Sequence, residues 1–169
     1  MMVKTRTALT SAAVAVAVGA AGWFGYTWWD AAHDDGVHRA VARDQALQAG
    51  QQGIAGFNTL DFRQAAAGYD RWVGMSTGEW RDELVKDAEA SKKRIADGKT
   101  VTEAKILDAA VTDLDDTAGT AKVIAAVEMV VTPEGGGPVT KRLRFQAGVA
   151  RTDQGWKLNG LSPIPVGDA

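Results

Sequence analysis

The sequence predicts an α+β fold in which helices come first and an antiparallel meander follows. Three observations predict it. Between Asn58 and Gly98 apolar residues recur at spacings of three and four, as on one face of a helix. From Val101 onward the period drops to two. The alternating runs are joined by short turns, which favours antiparallel neighbours.

The elements follow in order. Thr59 and Asp61 are cap candidates for a helix whose apolar face is Phe62, Ala65, Ala66, Tyr69, Trp72 and Val73. Thr77 caps a second helix carrying Trp80, Leu84, Ala88 and Ile95, with Lys92, Lys93 and Arg94 near its end and Gly98 as the stop. A first strand from Val101 to Val111 has both faces partly apolar. Asp113 to Gly119 reads as a turn. Ala121, Val123, Ala125, Val127, Met129 and Val131 then alternate strictly. The loop Pro133 to Pro138 leads to Val139, Leu143, Phe145, Ala147 and Val149, and Asp153-Gln154-Gly155 leads to a short strand with Trp156, Leu158 and Leu161. About four strands are therefore expected, curved around two amphipathic helices.

With 169 residues the chain has room for one modest domain and an anchor. About 23 uncharged residues separate Arg6 from Asp30, enough to cross a hydrocarbon core as a helix. Trp23, Phe24, Tyr26, Trp28 and Trp29 crowd its far end, where indole and phenol rings suit the headgroup boundary. Leu9 to Ala17 also fits the core of a cleaved signal, with a site near Ala20 or Ala21. The apolar run continues well past that site, and the uncleaved anchor is the reading adopted. Lys4 and Arg6 precede the span while Asp30, Asp34 and Asp35 follow it, so the N-terminus is expected inside and the remainder outside the inner membrane. The expected division is 1–7 cytoplasmic, 8–29 transmembrane, 30–57 helical stalk, 58–165 exterior α+β domain and 166–169 tail.

The stalk carries a thin stripe of Val37, Ala40, Val41, Asp44, Leu47 and Gln51, too narrow to bury against a full core. It reads as solvated, with a partner helix as the alternative. Gly50, Gly53 and Gly56 read as a loosening of the chain before Asn58.

Composition excludes several classes of chemistry. There are no cysteines, so no disulfide, thiolate metal site or thiol nucleophile exists. Setting aside Lys4 and Arg6, 17 basic residues face 21 acidic ones, an acidic balance that disfavours nucleic acid. Asp113, Asp115 and Asp116 resemble the opening of a calcium loop, but Ala118 and Ile124 occupy the positions of the turn glycine and the bidentate glutamate. Turn chemistry explains these carboxylates. Both histidines, His33 and His38, precede the domain. No catalytic, cofactor-binding or metal-ligating residue is assigned, and no cofactor is expected. Phe62, Tyr69, Trp72 and Trp80 form an aromatic stripe that reads first as core and second as the wall of an apolar ligand pocket.

The order of features, with the Thr59-Leu60-Asp61 entry, the Tyr69-Asp70-Arg71 helix and the closing Gly155-Trp156-Lys157-Leu158 strand, resembles the Mce-associated membrane proteins of actinobacteria. The resemblance implies a cone-like exterior domain of the nuclear transport factor two (cystatin-like) type. It also implies a non-enzymatic accessory role in an Mce-type lipid-import assembly, with membrane lipid, transporter subunits or other envelope proteins as partners. Two alternatives accompany it: a carrier holding a lipid ligand in the cone, and a scaffold domain of the secretion-system type.

Overall fold

The computed structural model describes residues 20–26 and 35–165. Contacts divide the chain into one unit up to Val41 and a larger one from Ala42 onward. In the first unit residues 20–26 are helical, and Trp23, Phe24 and Tyr26 are all more than 60% exposed. Trp28, Trp29 and most of the expected 8–29 span lie outside the described residues. Among the described residues no helix is long and apolar enough to cross a membrane.

A five-stranded antiparallel sheet forms the centre of the larger unit. The strands are β1 (Leu60–Asp61), β2 (Thr100–Asp115), β3 (Thr120–Pro133), β4 (Val139–Thr152) and β5 (Gly155–Pro163), neighbouring one another in that order. The expected meander is present, with β1 added at one edge as a two-residue strand too short to show in a periodicity. Strict alternation on β3 buries Ala121, Val123, Ala125 and Val127, and β4 and β5 add Phe145, Ala147, Val149 and Leu158 to the same face.

β2 explains its own ambiguous pattern. Its register against β3 slips between Ile106 and Asp108 and again between Val111 and Asp113, so Leu107 and Thr112 are extra residues. Each slip shifts the inward phase by one, and Ala104 and Ile106, then Ala109 and Val111, then Leu114 pack on the core. A strand with both faces partly apolar is therefore a strand whose inward face changes parity twice. The same strand runs through Asp113 to Asp115, so the turn is shorter than expected and closes at Gly119, whose φ of +65° favours glycine. Two β2 amides are met by side chains: Ala104 donates to Thr59 Oγ1 (3.1 Å) and Ala109 to Asp108 Oδ1 (2.8 Å). With the bulges, these bonds blunt an edge that β1 covers over only two residues.

The helices depart from expectation more. α1 spans Asp35–Asn58. From Ala42 it is part of the core, with Ala46 and Ile54 fully buried. A Cβ added at Gly50 would lie 2.7 Å from Val123 Cβ, and one at Gly53 would collide with Leu158 Cδ1. The glycines read as loosening are contact points where helix and sheet backbones approach closely. The expected stripe is also corrected: Val37 and Val41 are about half exposed, and the buried face is Ala42, Ala46, Gly50, Gly53 and Ile54. The solvated stalk is thus corrected from Ala42 onward.

Where two helices were expected after Asn58, three follow a 3-10 turn at Phe62–Gln64: α2 (Ala65–Met75), α3 (Gly78–Lys86) and α4 (Ala88–Asp97). Asp61 caps the 3-10 turn by accepting from Arg63 N at 2.9 Å. The break between α3 and α4 falls at Asp87, whose φ and ψ of −96° and 9° leave the helical region. Thr77 precedes α3 but makes no side-chain cap bond; its amide donates to Leu158 O on β5 (2.8 Å).

Candidate functional site

The aromatic stripe is the sequence's own candidate, and the structure gathers three of its four members around a residue that periodicity missed. Phe57, near the end of α1, stacks on Trp72 at 5.2 Å and on Trp80 at 4.7 Å between ring centroids. Tyr69 meets Trp72 at 5.6 Å in a tilted pair. Phe62 makes none of these ring contacts and lies instead under the Arg63 guanidinium, 5.2 Å from its centroid. Phe57 escaped notice because it follows Gly50, Gly53 and Gly56, which read as a linker. Its helix is visible only once those glycines are seen as packing positions.

The polar ends of these rings are occupied. Tyr69 is 2% exposed and its hydroxyl donates to Leu84 O at 2.9 Å. Trp72 Nε1 donates to Gly56 O at 3.0 Å. Hydrogen bonds of this kind tie α1, α2 and α3 together. Tyr69→Phe should therefore cost about 1–2 kcal/mol in a denaturation experiment, by leaving a carbonyl without its donor, while recovery of bound partner proteins stays unchanged. Beside the cluster, Tyr69, Trp80, Glu83, Leu84, Asp87 and Ser91 line a depression of about 160 Å³. That is below the roughly 300–1,000 Å³ of a small-molecule pocket. On the outer side Lys92 pairs with Asp70 at 3.0 Å, and that hydrogen bond holds its ammonium above the ordinary lysine range.

The carboxylates of the β2–β3 turn are used structurally. Asp113 pairs with Lys122 (3.4 Å), Asp115 accepts from Ala118 N (2.8 Å), and Asp116 pairs with Arg151, whose guanidinium also lies 5.1 Å over the Trp156 ring. Among the described residues no group of three or more His, Asp or Glu is placed to hold a metal ion. Two further depressions, about 190 and 310 Å³, adjoin Trp156 between α1 and β5 and share Ala49, Gln52 and Trp156 in their walls. The Trp156 Nε1 donor is buried with no acceptor among the described residues.

A family model described as "Uncharacterized protein Rv1363c/MT1408-like" matches residues 5–165. The chain belongs to this family. A Mycobacterium tuberculosis relative, "Uncharacterized protein Rv1363c", is 28% identical over 166 residues, 96% of this chain and 61% of the relative. This chain therefore spans about 61% of that relative's length.

Among solved structures, the periplasmic domain of DotI aligns with a TM-score of 0.58 at 14% identity, covering 71% of this chain and 93% of that one. A periplasmic fragment of TraM aligns at 0.57 and 16%, covering 73% and 97%. An IcmL-like type IV secretion system protein from Legionella pneumophila aligns at 0.58 and 13%, covering 78% and 95%. At such identities the likeness shows the fold. That fold is the α+β class expected above, with helices packed on a five-stranded antiparallel sheet where about four strands were expected. None of these matches carries the Mce association, which stands as a proposal.

Proposed function

We infer that the protein is a non-enzymatic scaffold of the cell envelope, held at the inner membrane by its N-terminal segment, with the domain from Ala42 onward outside the cytoplasm. One observation carries the reading. The core face of the sheet, where a cone-like domain would hold a substrate or lipid, is covered by the chain's own α1 through Ala46, Gly50, Gly53 and Ile54. Val123, Val127, Ala147 and Val149 beneath it have no exposed surface. A closed interior leaves the outer surfaces to do the work, and outer surfaces bind proteins. The likeness to the periplasmic domain of DotI and to an IcmL-like type IV secretion system protein supports the same reading at the level of fold.

Two settings follow. A secretion-type scaffold is favoured by the shared architecture. The Mce-type lipid-import assembly rests on the sequence resemblance, and in that setting the protein would support the transporter without carrying lipid itself. Affinity purification of the full chain from gently solubilised membranes tests the scaffold. The same envelope proteins should be recovered repeatedly and near stoichiometrically. Exchanging residues 1–41 for an unrelated span, which leaves the core intact, should lower that recovery several-fold, because the anchor and the exposed first turns of α1 contribute to binding. Recovery of the chain alone would contradict the reading.

A further inference from the structure

The helices cover one face of the sheet, and the opposite face holds a feature that folding does not explain. Residues pointing away from the core on β3 should be polar, yet Ile124 and Ala126 occupy the middle of that strand. With Ala110 and Ile164 they line a shallow apolar depression of about 170 Å³, rimmed by Asp108 and Arg144. The register sets these charges in one row across the sheet: Asp108 is paired with Ala126, and Ala126 with Arg144. An acid, a small residue and a base thus stand side by side on adjacent strands, about 4.8 Å apart. Lys122 and Asp113 are paired within the chain on this face, as are Arg142 and Glu128. Asp108 and Arg144 form no ion pair among the described residues; Asp108 accepts only from the neighbouring Ala109 amide.

We propose that this outer face is where a second copy of the chain docks, sheet on sheet, about a two-fold axis running along β3 over Ala126. Only that direction makes the row self-complementary. A two-fold axis along the strand exchanges left and right, which places Asp108 of each copy over Arg144 of the other. An axis across the strands would place like over like. The same operation sets Ile124 against Ile124, with Ala110 and Ala126 leaving room for both. The two sheets then run nearly aligned, the common arrangement for packed faces about 10 Å apart. The next row, Lys105–Glu128–Arg142, is like over like about this axis, so the contact is confined to the rows around Ala126. Such an interface is isologous and closes at two copies. It is independent of which assembly the protein serves.

The chain has no cysteine, so single introduced thiols report without background. In native membranes carrying the full chain, Ala126→Cys should be joined to its counterpart by a short bismaleimide. Glu89→Cys, on the helical side, should not. Arg144→Asp in the Ala126→Cys background should lower the linked fraction about tenfold, since a like-charge contact replaces an attractive one. Adding Asp108→Arg should restore it. All four substitutions lie on exposed or half-buried positions, so loss of folding does not confuse the result. Free labelling of Ala126→Cys without linkage would leave the face open and overturn the proposal. Protection of that thiol without linkage would give the face to a different protein and overturn it equally. So would linkage indifferent to Arg144→Asp.

Discussion

A chimaera in which residues 1–53 are replaced by an unrelated anchor should fail to fold its exterior domain, whereas one replaced through residue 41 should melt like the parent. The difference is a stretch of about three helical turns. Those turns bring Ala46, Gly50 and Gly53 to the sheet, and without them Val123 and Leu158 lose their cover and Ile54 loses the helix that aims it. Burying a side chain the size of Val or Leu contributes about 1.5–3 kcal/mol. Uncovering two of them and misplacing a third therefore approaches the lower end of the roughly 5–15 kcal/mol that holds a domain folded. Circular dichroism melts and limited proteolysis of the two chimaeras give the reading. A cooperative melt of the 1–53 chimaera near that of the parent would mean that α1 merely rests on the sheet.

The second large effect is a pair of identical chemical changes with opposite signs. Glycine to alanine in a helix that faces open space gains about 1 kcal/mol from lower chain entropy in the unfolded state. Gly74 in α2 has nothing within 4 Å of the position its Cβ would take, so Gly74→Ala should stabilise by about that amount. Gly50→Ala places the same methyl 2.7 Å from Val123 Cβ and 2.8 Å or less from both its methyls. A strand Cβ cannot swing aside, so helix and sheet must separate, at a net cost of about 2–3 kcal/mol. Gly53→Ala should fall between them, because its close neighbours are the branched end of the Leu158 side chain rather than a strand Cβ. Denaturation midpoints of the three variants order them. A stabilising Gly50→Ala would mean the helix is not seated where Val123 requires.

How far the sequence could foretell this depends on which residues carried the contacts. β3 was legible because it buries alternate Ala and Val without interruption. β2 was legible as a strand but not in its facing, because two bulges reverse the parity and a bulge has no signature in hydropathy. α1 was misjudged from Ala42 because its buried face is alanine and glycine, residues whose value lies in the close approach they permit rather than in hydrophobicity. Of the aromatic stripe, Tyr69, Trp72 and Trp80 come together with Phe57, whereas Phe62 makes none of the ring contacts. The row of Asp108, Ala126 and Arg144 could not be seen at all, since it exists only once a bulge at Leu107 sets the register of β2 on β3.

Native mass spectrometry of the gently extracted full chain most directly tests whether the interior is closed. With α1 covering the core face of the sheet, stripping away the detergent should leave protein alone or protein with protein, and no lipid at a fixed ratio. One sterol or acyl lipid retained per chain would contradict the closed interior, and the scaffold reading would give way to a carrier.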